Sequence, residues 1–315
     1  MIRKAAIISI VGTSLTNRET TLFKKEKPWG VILFKRNISS EFQLIKLTKS
    51  IRKTMSDRKF PILIDEEGGR VSRLSNFLDN SNFPQKYFGD IYKTDKLNGA
   101  KIYKTYINSI SKILLKTGIN INTTPVLDLK KKNTHMIIGN RSYSNKSNIV
   151  YELGKICVNL YKKNKIATVI KHIPGHGGAN LDSHLKLPVI HDSIKVLRKT
   201  DFKCFKNTHS FFAMTAHILY GKIDKNYNVT HSATIIKKII RKEIGFKGIL
   251  ISDDISMKAL KYNIVKNANL ALDAGCNLVL YCAGKTKESE RLLKMMPYID
   301  KFTAKKTSEF YRFLS

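Results

Sequence analysis

Residues 171–184 read KHIPGHGGANLDSH: three histidines, a lysine and an aspartate within fourteen positions, spaced by three glycines and a proline. A metal centre would need three or four converging ligands. His172 and His176 are four apart, but Pro174 and Gly175 forbid the helix that would align them. The first apolar run ends in Val-Gly-Thr at 11–13, where a barrel metallohydrolase would want His-x-His. No metal and no cofactor is expected. Gly-His-Gly-Gly at 175–178 has the makings of an anion nest, yet no P-loop or dinucleotide fingerprint surrounds it. No Gly-x-Ser-x-Gly elbow offers a serine nucleophile. Acid/base chemistry remains. Asp182 and His184 are two apart, so on an extended loop they point the same way. The carboxylate can then fix the imidazole tautomer and raise its basicity, leaving the other nitrogen for proton transfer. A nucleophilic partner for that pair is found at Asp253, in Ser-Asp-Asp at 252–254.

These residues need a scaffold, and the rest of the chain supplies its pattern. Short apolar runs recur at 5–12, 29–34, 60–65, 119–128, 167–172, 211–217, 248–254 and 276–282. Most are apolar on both faces, as strands of a helix-covered parallel sheet are. Helical periodicity follows at 98–116, 148–163, 194–206, 233–244, 257–273 and 286–296, and after a Ser40–Gln43 capping box whose face is Leu44, Leu47, Ile51 and Met55. Gly245 and Gly275 stand where helix C-caps belong. Eight alternating strands and helices predict a (β/α)8 TIM barrel, with a doubly wound open sheet as the alternative. Neither internal repeat nor linker breaks the chain, so one domain over 1–315 is expected. Ionisable residues end four of the runs: Asp65, Lys171-His172, His217 and Asp253-Asp254. In a barrel these ends converge on the face that carries the active site. Gly68 and Gly69 are expected to make a tight turn presenting Arg70 and Arg73. Asp65 either pairs with one of those arginines or meets a sugar hydroxyl.

Composition narrows the partners. The chain is 42% hydrophobic, and no apolar run approaches the roughly 20 residues of a membrane helix. AAIISIVG at 5–12 is short for a signal-peptide core and reads as a strand, which predicts a cytoplasmic protein that does not engage membranes. Cys157, Cys204, Cys276 and Cys282 show no Cys-x-x-Cys spacing, consistent with a reducing compartment. The net charge of +33 is spread along the chain together with abundant Lys, Ile and Asn, as AT-rich coding would give. A nucleic-acid footprint should cluster, so no nucleic-acid partner is expected.

IDEEGGRVSRL (64–74), INTTPVLDL (121–129), IGNRSY (138–143), KHIPGHG (171–177), DSH (182–184), TAH (215–217), GFKGILISDDISMKAL (245–260) and DAGCNLVL (273–280) also stand in one order. With GVILFKRNI (30–38), the chain resembles the bacterial β-N-acetylglucosaminidases of glycoside hydrolase family 3 that recycle peptidoglycan, over roughly residues 25–300. The resemblance implies a single-domain barrel and a retaining mechanism through a covalent glycosyl-enzyme. It assigns Asp253 as nucleophile, His184 as acid/base and Asp182 as its partner on a mobile loop. Asp65, Arg73, Arg141, Lys171 and His172 match sugar-binding positions. The implied substrate is a carbohydrate, an anhydro-muropeptide, handled by a monomer. The glycines at 175, 177 and 178 would let the loop swing His184 in and out. Two departures are visible: Glu66 stands where glutamine is common, and Ile173 where phenylalanine is. Asp254 is expected to orient backbone rather than react. The roles of His176 and His217 stay open, as do a phosphorylase and a non-catalytic sugar- or nucleic-acid-binding protein.

Overall fold

The computed structural model describes residues 2–131, 138–179 and 187–315. Eight parallel strands close into a barrel: β1 (Lys4–Ile8), β2 (Pro28–Leu33), β3 (Ile62–Ile64), β4 (Ile121–Asn122), β5 (Ala167–Ile173), β6 (Phe212–Thr215), β7 (Ile249–Asp254) and β8 (Leu278–Tyr281). Each strand pairs with its neighbours in sequence, and β8 returns to β1 through Ala6–Val279, Ile7–Leu280 and Ile8–Tyr281. The open-sheet alternative is excluded, because that fold leaves two edges.

Alternation along the strands sorts the core into two shells. Ile7, Trp29, Ile32, Leu63, Val169, Phe212, Met214, Ile251 and Leu280 cluster together inside the barrel. Their neighbours Ile8, Val31, Leu33, Ile62, Ile64, Ile170, Leu250 and Val279 belong to the outer shell, packed with the helices. Those helices are α1 (Asn17–Glu26), α2 (Glu41–Met55), α3 (Gln85–Thr94), α4 (Lys96–Lys116), α5 (Ser147–Lys163), α6 (Ile194–Lys199), α7 (Asp201–Phe205), α8 (Ile264–Ala274), α9 (Thr286–Met295) and α10 (Lys301–Phe313), with a π-helix over Ile235–Glu243.

The bottom of the barrel is plugged by aromatics. Phe310 of α10 meets Trp29 and Phe212, which lie edge to face at 5.5 Å. The Trp29 indole N–H donates to Thr307 Oγ1 at 2.9 Å, so its polar edge is satisfied in the core. With one end closed by side chains, the cavity opens at the other, where the strand carboxyl ends are.

Several element boundaries differ from the sequence reading. The 119–128 run forms only a two-residue strand, because Thr123–Asp128 leaves the ladder and bonds instead through Gln85 and β5. The 194–206 helix is two short ones, broken at Thr200, and the 257–273 helix starts only at Ile264, capped by Asn263. At α2, Ser40 accepts the Gln43 N–H, but Gln43 reaches back to Ser39 rather than to Ser40.

Candidate active site

The barrel mouth holds a cavity of about 250 Å³. One wall comes from the β3, β4 and β5 ends: Asp65, Arg73, Thr123, Arg141, Lys171 and His172. The other comes from β6, β7, β8 and β2: Asp253 and Asp254 with Met214, Met257, Leu280, Cys282, Ile32 and Phe34. Asp253 and the five residues matched to sugar binding therefore line one space. Asp182 and His184 lie outside the described residues.

Lys171, at the end of β5, is 2% exposed and would be costly there unpaired. Its ammonium lies 2.5 Å from both Asp65 Oδ1 and Glu67 Oε1. Asp65 also accepts from Arg73 Nη2 and from Thr123 Oγ1, each at 2.7 Å. Burial alone would raise the Asp65 pKa, but Lys171, Arg73 and Arg141 outweigh it and hold the carboxyl well below its usual range. Asp65 thus stays charged at the cavity wall while mostly buried, ready to accept hydroxyl protons. It pairs with Arg73, not with Arg70, among the partners the sequence offered.

Behind this wall Glu67 is buried and grips the Arg141 guanidinium at both ends, Nε at 2.7 Å and Nη2 at 2.8 Å. Burial pushes its pKa up, yet Arg141 and Lys171 bring it below the ordinary value. The glycine turn takes its expected form: Gly68 and Gly69 have φ of +82° and +60°. A Cβ at Gly68 would strike the Phe83 carbonyl oxygen.

His172 is aimed by a carboxylate the sequence reading passed over. Asp128 is fully buried and receives the His172 ring Nδ1–H at 2.7 Å, the His172 amide at 3.2 Å and the His176 amide at 2.6 Å. Burial raises the Asp128 pKa, but His172 and His176 carry it below normal. His176 lines the cavity, and burial depresses its pKa to about 4, so the ring is neutral near pH 7. His217 sits two residues beyond β6. It bonds the Asp254 carbonyl through Nε2 at 3.0 Å and Thr230 Oγ1 through Nδ1 at 2.7 Å. Since a carbonyl can only accept, Nε2 carries the proton. His217 braces β7 from the side.

At the end of β7 the two aspartates divide. The Asp254 amide donates to Asp253 Oδ1 at 2.8 Å, while the Asp253 amide reaches Thr215 Oγ1 at 3.4 Å. Asp254 instead receives the Ser256 amide and hydroxyl and the Cys282 amide, and its pKa is raised by burial. Its carboxylate is occupied with backbone, as expected, and Asp253 lines the cavity with a strand-fixed side chain. At Gly177 a Cβ would overlap the Leu129 carbonyl oxygen. Close backbone approach requires that glycine.

Glu67 and Asp128 are the residues sequence reasoning missed. Asp128 ended an apolar run just as Asp65 did, so the strand-end rule applied evenly would have found it. Glu67 had only the acidic triplet beside Gly68-Gly69 as its signal.

Known proteins share this architecture. Residues 3–305 match the family described as "Glycosyl hydrolase family 3 N terminal domain". A β-hexosaminidase of Methylobacillus flagellatus is 32% identical over 296 residues, covering 92% of this chain and 83% of the relative. A β-hexosaminidase of Bordetella pertussis is 31% identical over 283 residues, 88% of this chain and 79% of its own. The crystal structure of NagZ from Neisseria gonorrhoeae in complex with N-trifluoroacetyl-D-glucosamine has a TM-score of 0.89 and 28% identity, over 98% of this chain and 90% of that one. A match running nearly end to end, with relatives above 30% identity, makes this protein a member of glycosyl hydrolase family 3.

Proposed function

We propose that the protein is a retaining exo-β-N-acetylglucosaminidase that removes terminal N-acetylglucosamine from peptidoglycan fragments, anhydro-muropeptides among them. The β-hexosaminidase relatives support the broader activity, a glycoside hydrolase of the β-N-acetylhexosaminidase type. The observation that carries the reading is the two-walled cavity. A terminal sugar rests its hydroxyls on Asp65, Arg73, Arg141, Lys171 and His172. Its anomeric carbon then faces Asp253 on the opposite wall.

In the proposed reaction an Asp253 carboxylate oxygen attacks C1 as the glycosidic C–O bond breaks, and His184 gives its proton to the leaving oxygen. Asp182 holds the imidazole tautomer and steadies the cation. Water then attacks C1 and loses a proton to His184, and the sugar–Asp253 bond breaks. A histidine stands where retaining enzymes usually place a second carboxylic acid. A monomer in the cytoplasm belongs to the same reading.

Turnover of a chromogenic N-acetyl-β-glucosaminide by wild type, Asp253→Ala and His184→Ala tests the assignment. Asp253→Ala should be nearly inactive. His184→Ala should lose least with activated leaving groups, which need little protonation. Sugar released only when phosphate is supplied, as sugar-1-phosphate, would instead make the enzyme a phosphorylase. Full activity in Asp253→Ala would end the reading.

A further inference from the structure

Glu66 lies between Asp65, which lines the cavity, and Glu67, buried behind its wall, yet it shares the cations of neither. It is 2% exposed, and its surroundings are donors. Oε2 accepts the Arg73 amide at 2.7 Å, the Leu74 amide at 3.1 Å and the Ser72 hydroxyl at 3.1 Å. Oε1 accepts the Asn80 side-chain amide at 3.2 Å. Its own backbone is clamped on both sides by the Asn122 amide, at 3.1 Å and 2.9 Å. Segment 66–80 is thus folded around one carboxylate, and the fold delivers the Arg73 guanidinium to Asp65 Oδ2 and over the Phe34 ring.

Among the described residues no ammonium or guanidinium forms an ion pair with Glu66. The ionisable groups that face it are Tyr106 from α4, Tyr161 from α5 and Arg73 from its own loop, with Asp65 and Glu67 beside it in the chain. Asp65 and Glu67 each have a cation, whereas Glu66 depends on neutral dipoles. Neutral donors hold a buried charge less firmly than a counter-ion does, and a proton arriving there displaces one of the hydrogen bonds the carboxylate accepts. Burial raises the pKa of Glu66 despite those hydrogen bonds, whereas Asp65 is held low.

We infer that Glu66 is a positioning residue for sugar binding: it sets Arg73 against Asp65, and its protonation on acidification weakens the enzyme's grip on the sugar. The inference rests on the glycosidase reading for the identity of the ligand. It commits Glu66 to act on KM through Arg73, with no contact to substrate.

The test is the pH dependence of kcat and KM for a chromogenic N-acetyl-β-glucosaminide in wild type, Glu66→Gln, Glu66→Ala, Arg73→Ala and the two double variants. Glu66→Ala should raise KM about tenfold with kcat nearly unchanged, the scale of lost hydrogen bonds to a buried charge. Glu66→Gln is the neutral isostere of the protonated acid, so it should carry at every pH the raised KM that wild type shows only on acidification. In the Arg73→Ala background neither substitution at 66 should change KM further. A KM–pH curve for Glu66→Gln that superimposes on wild type overturns the inference, and so does a Glu66 effect that persists without Arg73. If Glu66→Ala does not fold, the glutamine pair decides alone. Calorimetric binding of N-acetylglucosamine gives the same comparison without turnover, so failure of the glycosidase reading is seen separately.

Discussion

At the scale of single residues, the site is governed by which carboxylates have a cation and which do not. Asp65 and Glu67 share Lys171, with Arg73 and Arg141 closing the outer sides. Because Glu67 is buried, Glu67→Gln leaves two cations short of one charge. Breaking such a pair costs on the order of 3–5 kcal/mol, so the variant should unfold at clearly lower temperature and bind sugar more weakly. Thermal unfolding with and without N-acetylglucosamine reads both effects. The pH dependence of stability follows from the same charges. Asp65 is held below its ordinary pKa, so its contribution is present above about pH 4 and is lost as pH falls from there through the folded value. His176 acts in the same direction but earlier. Its folded pKa of about 4 lies below the ordinary 6.5, so the unfolded chain takes up that proton first and stability declines as pH falls between the two. Denaturant midpoints measured across this range should fall in both windows, and His176→Gln should shrink the upper one, to which His217 and His231, also held by burial below the ordinary value, contribute in the same direction. An imidazole NMR shift for His176 that titrates near 6.5 would contradict this. Asp65, Lys171, His172 and Asp253 were legible because an ionisable side chain at the end of an apolar run has few bland explanations. Glu67 was not, since nothing in Asp-Glu-Glu-Gly-Gly-Arg separates a buried charge from a solvated one.

At the scale of elements, the strand ends do the positioning and the turns between them are tightly packed. The (β/α)8 alternation was visible in the apolar runs, because strands covered on both faces cannot disguise themselves as amphipathic helices. Boundaries were less visible where polar residues do structural work. Thr123–Asp128 looks like strand in composition but is diverted by Gln85, whose side chain bonds Thr124, Val126 and the Arg141 carbonyl. Helix α1 was unmarked because NRETTLFKKE offers only Leu22 and Phe23 to the core. In the segment after β5 the two neighbouring glycines differ in the room around them. Gly177→Ala forces a methyl into the Leu129 carbonyl, so it should destabilise the fold and lower the unfolding temperature. Gly178→Ala meets only the tips of Ile190 and Lys131 and should be mild by comparison. Equal unfolding temperatures for the two would show that residues 176–178 can relax away from Leu129.

At the scale of the whole molecule, the aromatic plug of Trp29, Phe212 and Phe310 closes one end of the barrel, which leaves the mouth as the place where strand-end charges meet. That plug was hidden because it unites residues far apart in the chain. Many of the acids sit at or beneath the mouth, among them Asp65, Glu66, Glu67, Asp128, Asp253 and Asp254, so the outer surface is dominated by the remaining Lys and Arg of a +33 chain. Such a field draws in anionic ligands over about a Debye length, roughly 10 Å at 0.1 M salt. KM for an anionic muropeptide should therefore rise with ionic strength, while KM for a neutral chromogenic glycoside should stay nearly flat. The central claim, that Asp253 bonds to the sugar, is tested most directly by trapping the intermediate with a slow fluorosugar and mapping the modified peptide by mass spectrometry. The account predicts one sugar on Asp253, released as turnover resumes. A sugar attached to another side chain, or no covalent adduct while the fluorosugar is being turned over, would contradict it.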